Sequence, residues 1–104
     1  MNPEKKGKLK RAGWRTGSAD VFLGLSPEET ALVDMRLALA GAVRERRSRL
    51  GLSQTELARR LGSSQSRMAK LEAGEQDVSI DLLVRAMLAT GAKPRDVGRA
   101  FAAR

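Results

Sequence analysis

Apolar residues recur at helical spacing in five stretches of the chain, and each stretch is bordered by residues that typically start or end helices. In the clearest stretch, residues 80–88, apolar side chains fall at positions i, i+3, i+4, i+7 and i+8, so they share one helical face. Ser79 precedes this stretch as an N-cap, and Gly91 follows it as a stop signal. The pattern therefore predicts an amphipathic helix with one buried face.

The longest stretch follows residues 26–29, Ser-Pro-Glu-Glu, which combine an N-cap, a proline at the first helical position and a capping-box glutamate. This helix is expected to run to about Arg49, because Gly51 then provides a stop signal. Only three of the residues from 31 to 43 are not apolar, and this surface is wider than the single stripe of an ordinary amphipathic helix. The helix is therefore predicted to pack on two sides.

Two short helices with a very short connection are predicted in the middle of the chain. Ser53 begins the first helix, which is expected to bury its apolar residues up to Leu61, and Gly62 ends it. One of the next two residues, Ser63 or Ser64, is expected to cap the second helix. Two helices joined by so few residues must turn sharply, as in a helix-turn-helix.

The second of these short helices has a thin apolar side and a wide polar side. Met68 and Leu71 are expected to lie in the core, and Gly74 is expected to end the helix. The residues expected to lie partly or wholly on the outside are Gln65, Ser66, Arg67, Ala69 and Lys70.

A last short helix is predicted from Pro94, with Val97, Ala100 and Phe101 on one side. Aromatic residues make up only 3% of the chain, so the core has to be built from aliphatic side chains and methionine. Such a composition favours helices over sheets. The predicted fold class is therefore all-α, with five helices in a domain of residues 26–104.

The charge of the chain is concentrated in two basic segments. Residues 1–15 carry six cations against one acid, and residues 36–70 carry nine bases against two acids, in a chain of net charge +8. Residues 1–25 are predicted to form a basic, partly disordered extension that ends in one helical turn at residues 18–25. The basic segments favour a polyanionic partner, usually nucleic acid, while a solvated arginine-rich surface explains the charge equally well.

The composition argues against several classes of function. The chain contains neither cysteine nor histidine, so we expect no enzyme, no metal site and no cofactor. It has no apolar run of membrane-spanning length and no signal peptide, so we expect a cytoplasmic protein that does not enter a membrane. RNA binding is the nearer alternative, but RNA-binding modules usually present stacking aromatic residues, which are scarce here.

The segment 52-LSQTELARRLGSSQSRMAKLEAG-74 resembles the Cro and phage-repressor type of helix-turn-helix domain, also called the xenobiotic-response-element family. The matching features are a Gln-x-Glu-Leu-Ala opening from Gln54, a glycine at the turn, Gln65 early in the second helix, and the Leu-Glu-x-Gly sequence of residues 71–74. The resemblance covers roughly residues 30–92. It implies a lambda-repressor-like fold and a transcriptional regulator that binds a double-stranded DNA operator and represses its own gene.

The resemblance also implies roles for individual residues. Gln54 stands where members of the family contact a phosphate at a helix N-terminus. Gln65 and Ser66 stand at base-reading positions, and a glutamine can pair with adenine through two hydrogen bonds. Ala69 is small enough to approach a thymine methyl group, and Lys70 can reach a guanine or a phosphate. The complete set of DNA-binding candidates is Gln54, Ser64, Gln65, Ser66, Arg67, Ala69 and Lys70.

Several of these residues have a simpler interpretation. Ser64 and Ser66 are explained equally well as helix caps, whereas Arg67 and the arginines of residues 44–49 are expected beside the DNA backbone. Arg59 and Arg60 are expected to be solvated or to pair locally. The two acids of the loop at residues 75–77 do not favour phosphate contacts by side chains there.

Two protein partners are also expected. A homodimer is predicted because one recognition helix covers only a few base pairs, with the apolar face of residues 31–43 or of residues 97–101 as its interface. Residues 17–40 resemble the N-terminal segment of HigA-type antitoxins, and their acidic residues suit a basic toxin. In the alternative interpretation, the apolar residues of this segment, Phe22, Leu23 and Leu25, only cover the first helix.

Overall fold

The computed structural model describes residues 24–102, and within them all regular secondary structure is helical. The helices of this region are α1 (Pro27–Arg49), α2 (Gln54–Leu61), α3 (Gln65–Glu72), α4 (Ile80–Ala89) and α5 (Pro94–Ala102). The prediction of an all-α fold with five helices is therefore confirmed. The predicted extension of residues 1–25 and its helical turn lie almost entirely outside the described residues.

The helices begin where side chains satisfy the free N–H groups of the first turn. In α1 the Ser26 hydroxyl accepts a hydrogen bond from the Glu29 N–H at 3.1 Å, and the Glu29 carboxylate accepts one from the Ser26 N–H at 2.7 Å. Ser53 and Glu56 form the same capping box before α2, at 3.0 and 2.7 Å. Serine N-caps also begin α3 and α4, at Ser64 and Ser79. Of the two serines left open by the sequence, Ser64 is the cap.

The chain divides into two compact units, and the second, from Met35 onward, contains the helix-turn-helix and an aliphatic core. Burial of an aliphatic side chain of this size stabilises a fold by about 1.5–3 kcal/mol. The largest fully buried side chains come from α1 to α4 and are Leu39, Val43, Leu57, Met68, Leu71, Leu83 and Met87. Shared burial therefore holds the two short helices against the C-terminal half of α1 and against α4.

Burial confirms some of the sequence expectations and corrects others. Val97 is buried and Phe101 packs against the core, as predicted for α5. Leu61 was expected in the core but is only half-buried, because it is the last residue of α2 and borders the open turn. The prediction that α1 packs on two sides does not hold at Leu32, because this side chain is 44% exposed. The apolar surface of α1 is therefore wider than the part of it that other residues cover.

Gly74 follows Ala73, the C-cap residue of α3, where the backbone comes close to α1. Its φ angle is +71°, and a β-carbon at this position would stand 2.6 Å from the Leu37 Cδ2 atom. Glycine tolerates both conditions because it has no side chain. This close approach allows the C-terminal end of α3 to pack against α1.

Candidate nucleic-acid interface

The turn between α2 and α3 is short and is closed by backbone hydrogen bonds. Gly62 ends α2 in the left-handed conformation, with φ of 67°, and the Ser63 N–H donates to the Ala58 carbonyl at 2.8 Å. Ser64 then begins α3, because its hydroxyl accepts from the Arg67 N–H at 3.2 Å. The prediction of a helix-turn-helix is confirmed. The buried side chains of Met68 and Leu71 fix which side of α3 faces outward.

The outward side of α3 carries hydrogen-bonding groups of several kinds. Gln65, Ser66, Arg67 and Lys70 are exposed, and Ala69 between them is half-buried. An amide, a hydroxyl and two cations therefore project from one short helix, beside a small apolar side chain. These groups match the kinds of contact that base edges and phosphates offer in the major groove.

A cleft of about 400 Å³ lies between α3 and the start of α4. The N-terminus of a helix carries a partial positive charge and unpaired N–H groups, which together suit an anion. Arg67 and Lys70 add two cations to this cleft, whereas the Asp77 carboxylate at its edge opposes an anion. The side chains that line it are Ser64, Ser66, Arg67, Lys70, Asp77, Val78, Ser79 and Leu82.

Gln54 connects the start of α2 to both ends of α3. Its amide nitrogen donates to the Glu72 carboxylate at 3.1 Å, and its amide oxygen accepts from the Gln65 amide nitrogen at 2.7 Å. The Ser64 and Ser66 hydroxyls also lie within hydrogen-bonding distance of each other, at 3.3 Å. The structure thus brings two pairs of the candidate residues into direct contact.

Glu72 is the buried end of this connection. Both of its carboxylate oxygens accept hydrogen bonds from the Arg47 guanidinium, which also donates to the Leu52 carbonyl at 2.8 Å. The side chains of Arg47 and Glu72 are 16% and 3% exposed. The hydrogen bond that Arg47 donates to Glu72 and the attraction of the Glu72 charge outweigh the effect of burial and raise the pKa of Arg47.

The position of Arg47 corrects the expectation that it lies beside the DNA backbone. Its guanidinium turns inward because a buried carboxylate needs a partner, and α1 supplies one across a separation of 25 residues. Arg46 is also engaged, since it donates to the Thr90 hydroxyl at 2.8 Å. Arg44 and Arg49 of the same group remain exposed.

Sequence reasoning did not find Glu72 among the functional candidates. Its only signal was its place in the Leu-Glu-x-Gly sequence at the end of α3, directly after the buried Leu71. An acidic residue on the inner side of a short helix needs a cation from another element, and the pattern of α3 alone does not name it.

Two kinds of site are absent from the part of the chain that the structure describes. Between residues 24 and 102, no three acidic side chains lie close enough together to hold a metal ion. None of the helices in this range is both long enough and apolar enough to cross a membrane.

The fold and its exposed helix define a class, that of small all-α DNA-binding domains built on a helix-turn-helix. The chain belongs to the helix-turn-helix domain family: the family model with the description "Helix-turn-helix domain" matches residues 38–100, which is more than half of the chain. The match begins within α1, ends within α5 and is consistent with the resemblance to the xenobiotic-response-element family. Searches of curated proteins and of solved structures gave no significant match.

Proposed function

We propose that the protein is a sequence-specific transcriptional regulator that represses its own gene by inserting α3 into the major groove of its operator. The observation that carries this proposal is the exposed polar side of α3, which Met68 and Leu71 hold in a fixed orientation from the opposite side. The major groove of B-DNA admits an α-helix and distinguishes all four base pairs by their hydrogen-bonding groups. A rigid helix with this polar surface can distinguish DNA sequences by hydrogen bonding to base edges.

The candidate residues then divide into base contacts and phosphate contacts. Gln65, Ser66 and Lys70 set the preference among sequences, and Ala69 allows close approach to a thymine methyl group. Arg67 contacts the DNA backbone, where its charge adds affinity without sequence information. Because phosphate contacts release counterions, we expect the affinity to fall steeply as salt rises.

Gln54 can still contact a phosphate, although its amide group is already hydrogen bonded to other side chains. An amide nitrogen carries two hydrogens, and the bond to Glu72 uses one of them. The second hydrogen and the free N–H groups at the start of α2 remain for a phosphate. Gln54 thus supports Gln65 and positions the helix pair on the backbone.

Substitution of Gln65 tests the base-reading role. We expect Gln65→Ala to cost roughly 1–3 kcal/mol of binding free energy on the correct operator and little on random duplex, because only the base contact is lost. The matched control is Gln76→Ala, which removes an exposed amide from the loop after α3 and should affect both duplexes equally. Equal losses for Gln65→Ala on the two duplexes would refute the base-reading role.

A homodimer on a near-palindromic operator completes this proposal, because a two-fold dimer places two recognition helices about one DNA turn apart. The distribution of exposed apolar residues favours the part of residues 31–43 around Leu32 as the interface, because Leu39 and Val43 of the same segment are buried in the core of their own chain. Leu32 on this face is exposed, whereas Val97 of the alternative face is buried in the core of its own chain.

A role as the antitoxin of a toxin–antitoxin pair is a second candidate function. It is favoured by the start of α1, where the acidic side chains of Glu28 and Glu29 and the apolar side chain of Leu32 are all exposed. Such a surface suits a basic partner. Along the chain, this surface directly follows Phe22, Leu23 and Leu25, the apolar residues of the segment that resembles HigA-type antitoxins. We expect deletion of residues 1–25, which removes these apolar residues, to abolish capture of a toxin encoded beside the gene while leaving DNA binding mostly intact, and retained capture would contradict this role.

The alternative to both is a module that binds nucleic acid without sequence preference, or one that binds only protein. The basic residues of α1 to α3 also suit unspecific coating of a polyanion. Equal affinity for the operator and for random duplex would favour that alternative.

A further inference from the structure

Four side chains from α1, α2 and α3 form one continuous series of hydrogen bonds that ends at the exposed side of α3, which is proposed to contact DNA bases. Arg47 donates to Glu72, Gln54 donates to Glu72 at 3.1 Å, and Gln65 donates to Gln54 at 2.7 Å. The buried end is Glu72 and the exposed end is Gln65. The series therefore links a buried charge to the side chain proposed to contact a base.

The charges at the buried end fix the direction of every bond in the series. A guanidinium offers only donors and a carboxylate offers only acceptors, whereas an amide offers both and can turn either way. Because Glu72 accepts, Gln54 has to present its nitrogen inward, and its oxygen then faces Gln65. Gln65 in turn has to present its nitrogen to Gln54.

This direction determines what Gln65 presents to DNA. With one N–H group bound to Gln54, Gln65 keeps one N–H donor and one carbonyl acceptor for a base. Adenine offers one acceptor and one donor in the major groove, and guanine offers two acceptors. If the amide were turned the other way, Gln65 would present two N–H donors, which suit guanine.

We propose that Glu72 is a positioning residue that makes the protein prefer adenine to guanine at the base read by Gln65. This inference rests on the proposed function, since it requires Gln65 to contact a base. Glu72 is held firmly in this role: Arg47 donates to both of its oxygens and is itself bound to the Leu52 carbonyl. The carboxylate cannot turn away without breaking several partly buried hydrogen bonds.

The test is Glu72→Gln, which keeps the shape of the side chain and replaces the acceptor-only group by an amide. The dissociation constants for operators with adenine or guanine at the position read by Gln65 are compared, and that position is the one where Gln65→Ala abolishes the base preference. We expect the wild-type protein to prefer adenine by roughly 5- to 150-fold. In Glu72→Gln this ratio should fall toward one, because the series can then run in either direction.

A purely structural role of Glu72 predicts a different result. Loss of the ion pair would then lower stability and weaken binding to both operators by the same factor, so the ratio would not move. The matched control is Glu45→Gln, the same substitution at an exposed acid of α1, which should keep the wild-type ratio. Thermal unfolding monitored by circular dichroism shows at which temperatures each variant is folded, so that binding is measured only on folded protein.

A second variant covers the case in which Glu72→Gln does not fold. Gln54→Met leaves the pair of Arg47 and Glu72 intact but interrupts the series, and it should also lower the preference for adenine. A folded Glu72→Gln variant with the wild-type ratio overturns the inference, and an unchanged ratio in Gln54→Met does so where Glu72→Gln is unfolded. If Gln65→Ala leaves every base preference unchanged, the proposed base reading itself has failed.

Discussion

At the scale of single residues, the pair of Arg47 and Glu72 shows how a buried charge becomes tolerable. Its two residues come from different helices, and Arg47 also donates a hydrogen bond to the Leu52 carbonyl, while Glu72 accepts one from the Gln54 amide. Burial of an ion pair is costly, so such pairs contribute most when their hydrogen-bonding groups are all satisfied. The pair therefore gives the contact between α1, α2 and α3 a defined geometry.

Removal of one partner should reveal the cost of the unpaired charge. We expect Arg47→Met to lower the free energy of unfolding by about 3–5 kcal/mol, because Glu72 would stay buried without its cation. The control is Arg49→Met, which removes an exposed arginine whose guanidinium lies 3.6 Å from the Glu45 carboxylate. That variant should lose about 1 kcal/mol or less in urea unfolding. Similar losses for the two variants would contradict the account of the buried pair.

At the scale of secondary-structure elements, α2 and α3 are defined by their ends. Each has only 8 residues, and isolated helices of that length are unstable in water. Their caps at Ser53 and Ser64 and the left-handed Gly62 set where they begin and where the chain turns. The core then stabilises them from one side.

The capping box of α2 makes one contribution to stability dependent on pH. Hydrogen bonds from the Ser53 N–H and hydroxyl groups lower the pKa of Glu56. Because the pKa is lower in the folded state than in the unfolded state, this stabilisation is present at neutral pH and is lost as the pH falls through the folded-state pKa. We expect Glu56→Gln to unfold at a lower temperature than the wild type at pH 7, with a smaller difference at about pH 3. If the difference in unfolding temperature between Glu56→Gln and the wild type grew as the pH fell, the stabilising role of the ionised Glu56 carboxylate would be contradicted.

The sequence predicts features of this fold that depend on neighbouring residues and misses those that depend on distant ones. The caps at Ser53 and Ser79 and the stop at Gly62 are local, so they were predictable. The inward turn of Arg47 and the bond between Gln54 and Gln65 arise only after three helices have packed. The outward side of α3 was predictable for a similar local reason, since its core residues recur at helical spacing. Its contacts with DNA remain predictions.

At the scale of the whole molecule, exposed leucines test the proposed dimer. We expect Leu32→Glu to convert the dimer to a monomer in analytical ultracentrifugation, because a charge would then lie in the apolar interface. Leu88→Glu is a matched control, since Leu88 is 45% exposed and Leu32 is 44% exposed. It should leave the dimer intact. If Leu88→Glu dissociates the dimer and Leu32→Glu does not, the interface involves α4 and the assignment to α1 is wrong.

The central claim is that α3 reads a sequence, and one titration tests it most directly. Fluorescence anisotropy at near-physiological salt compares the protein's affinity for the duplex upstream of its own gene with that for a shuffled duplex of the same composition. We expect the native duplex to bind roughly a thousandfold more tightly, as is typical of specific regulators. Equal binding that disappears as salt is raised would contradict the claim, and would mean that the basic residues only coat polyanions.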